Sequence, residues 1–129
     1  MTNPYNASAY RGAEILSASP GRLVVITFDG LLASLARARS GFQTQNFELA
    51  MTEVARARGF LGELLSSLNY ERGAELSRGL SGIYVFIFSE LQTLGHRPDL
   101  KRLDKNIALL RELREAFAAI ASQRSTAAA

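Results

Sequence analysis

Apolar side chains return every three or four residues in four successive stretches of this chain, and that spacing constrains the fold more than any other feature. The strictest stretch is Phe47, Ala50, Val54, Ala57, Leu61, Leu64 and Leu68, spaced 3, 4, 3, 4, 3 and 4. A helix advances ~100° per residue, so such a series lines one face, whereas a strand would alternate with period two. Val24, Phe28, Leu31, Leu35, Ala38 and Phe42 form an earlier seam. Leu76, Leu80, Ile83, Ile87, Leu91 and Leu94 form a third. Leu100, Leu103, Ile107, Leu110, Leu113, Phe117 and Ile120 form a fourth, after Pro98.

The first stretch is ambiguous by propensity, because Leu23 to Phe28 is apolar and partly β-branched. Its periodicity and its start resolve it as helix. Ser19 suits the N-cap, where its oxygen accepts from an orphan N–H, and Pro20 suits the first helical position. Gly41 is the expected stop, with Arg37 and Arg39 complementing the helix dipole near the end. Thr44 or Asn46 is expected to cap the second helix, residues 66–69 to end it, and Gly95 to end the third.

Four helices of roughly 20 residues, each ~30 Å long, joined by short connections, pack as antiparallel neighbours. The expected fold is therefore all-α: one domain over residues 1–129, an antiparallel four-helix bundle preceded by a short N-terminal segment, residues 1–18. The tail at 122–129 is expected to fray, having nothing to pack.

The chemistry of an enzyme is missing. With no cysteine there is no disulfide, thiolate site or cysteine nucleophile. His96 is the single histidine, and no Glu-x-x-His pair, HExxH or phosphate-loop motif occurs. Asp29 lies off the seam and reads as a flank carboxylate in an ion pair or cap. No metal or cofactor is expected. Fifteen Lys and Arg against twelve Asp and Glu give a net charge of +3. These cations are scattered, as on solvated helix faces, rather than clustered as in a nucleic-acid binder. The N-terminus lacks a signal-peptide pattern, and the longest apolar runs are far shorter than the ~20 residues of a membrane span. The expected location is cytoplasmic, without membrane insertion.

What the chain has in surplus is apolar surface. Ile26 points nearly opposite the first seam, Leu49 and Phe60 point away from the second, and Val85 opposes the third with Phe86 and Phe88 on its flanks. Two uses remain open: contacts with neighbouring helices on two sides, or a groove for a partner's amphipathic helix.

Five words of the sequence, in register along almost the whole chain, resemble the flagellin-specific export chaperones of bacterial flagella. They are NPY with AY at 3–10, ILSASPGRLVVITFDGLL at 15–32, SSLNYERGAEL at 66–76, GIYVF at 82–86 and LLRELREAF at 109–117. The chain departs from the family pattern at Ala74, Val85, Phe86 and Phe117, where the family has Gly, Asp, Tyr and Trp. The resemblance implies a bundle that binds the disordered C-terminal segment of flagellin, prevents its premature polymerisation and delivers it to the flagellar export gate. It also implies that residues 3–16 form a lid over part of the client groove, with Tyr10 the plugging ring. The expected contact residues are Tyr10, Ile15, Leu23, Val25, Ile26, Phe60, Tyr84, Val85 and Phe88. The competing reading is a homo-oligomeric bundle without a flagellin client, its surplus apolar residues closing a homodimer.

Overall fold

The computed structural model describes residues 19–68 and 73–128, with side chains up to Gln123. Four helices account for almost all of them: α1 (Pro20–Gln43), α2 (Phe47–Ser66), α3 (Ala74–His96) and α4 (Leu100–Ala128). The fold is all-α, as the spacing predicts. Tyr10, Ile15 and the N-terminal segment lie outside the described residues.

The starts of the helices follow local chemistry. Ser19 accepts from the Arg22 N–H at 3.3 Å, with Pro20 opening α1. Asn46, rather than Thr44, caps α2 by accepting from Leu49 N–H at 3.3 Å. Asp99 accepts from Arg102 N–H at 3.2 Å where α4 begins. Gly73 precedes α3 with a left-handed φ of 78°, which a residue without Cβ adopts freely.

Helix α1 packs against α2 and α4, and α3 closes the ring against the same two. Two ion pairs fix α1 and α4 as antiparallel. Arg39, near the end of α1, forks onto Asp104 near the start of α4 (2.7 and 3.1 Å). Arg114, far along α4, forks onto Asp29 of α1 (2.9 and 3.3 Å). The Asp29 pair thus spans 85 residues of sequence and joins two helices. The closest approach is α1 to α2, because glycine and alanine line that seam. A Cβ on Gly30 would fall 2.7 Å from the Phe60 ring, and one on Gly41 would fall 2.8 Å from the Ala50 nitrogen.

Several expected positions shift. Gly41 does not stop α1; it is buried inside the helix, which runs on to Gln43. Its role is close approach to α2, and Gln45, at φ 59°, makes the reversal instead. α3 likewise passes Gly95 to end at His96. Arg37 and Arg39 are not in the last turn of α1, and both are committed to ion pairs. Val25, not Val24, is fully buried near the start of α1, one turn after Gly21, whose open side faces Ala121 of α4. In α3 the buried line is Ser77, Leu80, Tyr84, Ile87, Leu91 and Leu94, so Tyr84 replaces Ile83 in the seam. Its ring meets Phe28 edge-on at 6.3 Å, and Phe28 in turn stacks against Phe117 at 5.4 Å. Leu76, Phe47 and Ile120, which the periodicity assigns to seams, are exposed. Phe47 and Leu76 lie in the first turns of α2 and α3, where the neighbouring helix no longer covers the face.

Two buried carboxylates set the lateral register. Glu90 of α3 receives the Arg102 guanidinium of α4 on both oxygens and lies 3.5 Å from the Asn106 amide. The Arg102 hydrogen bonds hold the Glu90 carboxyl below its ordinary pKa of 4.5, with help from Asn106. Glu53 of α2 sits between Arg37 and Arg56. Its Oε2 is 3.1 Å from Arg37 Nε, close enough for Coulomb attraction, yet no donor is aligned on it as a hydrogen bond.

Candidate partner-binding surface

Apart from Phe47 at the start of α2, the exposed large apolar residues lie on α3 and at one end of the bundle. Val85 is 54% and Phe86 55% exposed on the outer side of α3. Gly79 and Gly82 share that side, and a Cβ at either would meet nothing within 4 Å. Two glycines beside two large apolar side chains form a shelf that another helix can approach closely. Its sequence cost is real, since mid-helix glycine destabilises by ~0.5–1 kcal/mol relative to alanine.

The α3–α4 seam extends this surface. These helices are held together near their connecting turn by the Glu90–Arg102–Asn106 cluster and have the sparsest backbone contact among the adjacent pairs. Continued antiparallel from that cluster, Ile83 comes level with Leu113 and Leu76 with Ile120. Leu76 is 68% and Ile120 46% exposed. They stand at the end of the bundle where α1 begins, and Leu23, on the first turn of α1, is also exposed there.

The expected contact residues do not form one patch. Val85 lies on the open α3 shelf. Phe88 is half-buried against the core. Phe60 is half-buried too, its ring covering Gly30. Ile26, one turn before Gly30, lies half-buried along that same α1–α2 edge, with exposed Leu23 one turn earlier. Val25 and Tyr84 are core residues and offer a partner no surface. Burial alone pushes the Tyr84 hydroxyl up to about 12 from its ordinary 10. Phe86, which the helical spacing marks only as surplus apolar surface, and Leu76 and Ile120 are not among the expected contact residues. The Gly79–Gly82 spacing could have pointed to Phe86, since a glycine pair on a non-core face has no packing reason within the bundle. Leu76 and Ile120 carried no such signal, because each continues a core periodicity.

Among the described residues, no group of three His, Cys, Asp or Glu side chains could hold a metal, and no helix is long and apolar enough to cross a membrane.

Comparison with known proteins gives this surface a context. The family described as Flagellar protein FliS matches residues 1–124. The flagellar secretion chaperone FliSB of Pseudomonas aeruginosa is 30% identical over 105 residues, covering 81% of this chain and 83% of that protein. The flagellar secretion chaperone FliS of Campylobacter jejuni is 28% identical over 123 residues, covering 95% and 94%. A crystal structure of a bacterial flagellar chaperone superposes with a TM-score of 0.76 at 16% identity, covering 92% of this chain and 98% of that one, which shows a shared fold. With a family match across nearly its whole length, the chain belongs to the FliS family of flagellar secretion chaperones.

Proposed function

We propose that the protein holds the C-terminal segment of flagellin on the α3 shelf and the adjoining α3–α4 seam, and hands it to the flagellar export gate. As a flagellar secretion chaperone it is a cytoplasmic binding protein and not an enzyme. The observation that carries the assignment of the site is the exposure of Val85 and Phe86 beside the open Gly79 and Gly82. A disordered client must overcome its ordering entropy, and a broad apolar surface with close backbone approach supplies the burial. Residues 3–16 act as the lid in this reading. Support for this comes from the exposure of Leu23, Leu76 and Ile120 at the end of the bundle where α1 begins, apolar surface that Tyr10 and Ile15 would cover.

Calorimetric titration with the last ~50–60 residues of the same organism's flagellin tests this, that length being able to bury ~1,000–3,000 Å² on coupled folding. One-to-one binding, a negative heat-capacity change and little salt dependence are expected. Phe86→Asp should weaken binding by ~10-fold or more while the fold is kept, since hot-spot aromatics contribute upward of ~2 kcal/mol. Tyr10→Ala should change affinity without unfolding the chain. Undiminished binding by Phe86→Asp would remove the client from α3. Self-association that Phe86→Asp abolishes, with no flagellin complex, would assign the shelf to a homodimer.

A further inference from the structure

Three arginines among the described residues are partly buried: Arg39, Arg58 and Arg114. Arg39 and Arg114 each fork onto an aspartate. Arg58 has no carboxylate and no other hydrogen-bonding partner among the described residues. A guanidinium drawn from water is normally paired, because its five donors otherwise lose hydration without replacement.

Arg58 lines a cavity of about 520 Å³, open to solvent along one side, between α2 and the last two turns of α3. Met51, Val54 and Leu91 supply its apolar wall, and Ser89, Gln92, Thr93 and His96 its polar one. No acidic residue lines it. The Thr93 hydroxyl is turned back onto the Ser89 carbonyl at 3.2 Å, while the Gln92 amide and the His96 ring have no partner among the described residues. The cavity therefore offers a cationic fork, further donors and a short apolar wall, at the end of the bundle away from Leu76 and Ile120.

We propose that this cavity is a receptor for a carboxylate on a short apolar stem, a glutamate-like or small dicarboxylate group, taken by Arg58 with the same fork that Arg39 and Arg114 use on their aspartates. The planar guanidinium matches a carboxylate in two parallel bonds, which an ammonium does not. Met51, Val54 and Leu91 fit the methylene stem, and Gln92 and His96 are placed at the rim to donate to the remaining lone pairs.

The test uses the full ¹⁵N-labelled chain and sodium glutarate, at ionic strength held constant with chloride. Saturable shifts of the Arg58 Nε–H and of the Thr93 and Gly95 amides are expected. Arg58→Gln should abolish them, and Arg58→Lys, which keeps the charge and stem, should weaken binding by ~10-fold, the equivalent of losing one charge-assisted bond. Circular dichroism of both variants checks the fold. Shifts that grow linearly without saturating, or that persist in Arg58→Gln, would overturn the proposal. Repeating the titration on the flagellin-loaded chain then separates the two sources of the group. Loss of the glutarate response assigns the carboxylate to a client side chain, and its retention assigns it to a free small acid.

Discussion

Replacing individual glycines with alanine tests the packing directly, because one chemical change has opposite expected signs at different sites. In a helix interior, alanine is favoured over glycine by ~1 kcal/mol. At Gly82 nothing lies within 4 Å of the new Cβ, so Gly82→Ala should realise most of that gain. At Gly41 the new Cβ would sit 2.8 Å from the Ala50 nitrogen, 3.0 Å from its Cβ and 3.0 Å from the Asn46 carbonyl oxygen. Two of these neighbours are backbone, so relief requires α2 to move, at the ~1–3 kcal/mol of an overpacked core. The Gly41 carbonyl also accepts from Asn46 N–H at 2.8 Å across the turn, which ties that movement to the reversal itself. The propensity gain is common to both substitutions and cancels between them, so Gly41→Ala should lie below Gly82→Ala by ~1–3 kcal/mol. Gly30→Ala should fall between, because its clash is with the Phe60 ring, a half-buried side chain that can swing aside. Urea unfolding followed at 222 nm resolves this series. With a slope of ~1–3 kcal/mol per molar urea, a 2 kcal/mol difference moves the midpoint by ~1 M. Equal midpoints for Gly41→Ala and Gly82→Ala would refute the close α1–α2 approach.

Tyr84→Ala should cost ~3–5 kcal/mol by leaving a cavity against Phe28, whereas the adjacent Val85→Ala should be nearly neutral in thermal or urea unfolding. Equal effects would return Tyr84 to the surface. In a phenolate absorbance titration one tyrosine should ionise near 12. Its pKa is raised on folding, so its contribution is intact below pH 10 and is lost as pH rises through that range. Glu90 has the opposite sign: its folded pKa lies below 4.5, so the stability it confers is present above 4.5 and lost as pH falls through the folded value. Glu90→Gln should accordingly flatten the acid limb of a stability–pH curve, and an unchanged limb would show that Arg102 does not hold the carboxylate.

The sequence by itself determined the helices. Four apolar series with steps of three and four, a Ser-Pro start for α1 and an asparagine before α2 act through interactions within a few residues, so they are legible locally. The family words extend that reading to function, because they occur in order along nearly the whole chain. Tertiary structure decided what a periodic pattern leaves degenerate. Ile83 and Tyr84 are neighbours 100° apart, and either could head the core; packing against Phe28 buried the tyrosine. Val24 and Val25 present the same choice, which the approach of α4 at Gly21 settled in favour of Val25. Gly41 is a helix stop by local chemistry and a contact point by packing, since only the position of Ala50 shows that no Cβ fits. Phe60 carries an outward signature yet lies on Gly30, because a missing side chain on one helix draws in a ring from the next. The binding surface follows the same logic. Exposure is a property of what the neighbouring helix fails to cover, and at Leu76, Phe86 and Ile120 it follows from the sparse backbone contact between α3 and its neighbour α4.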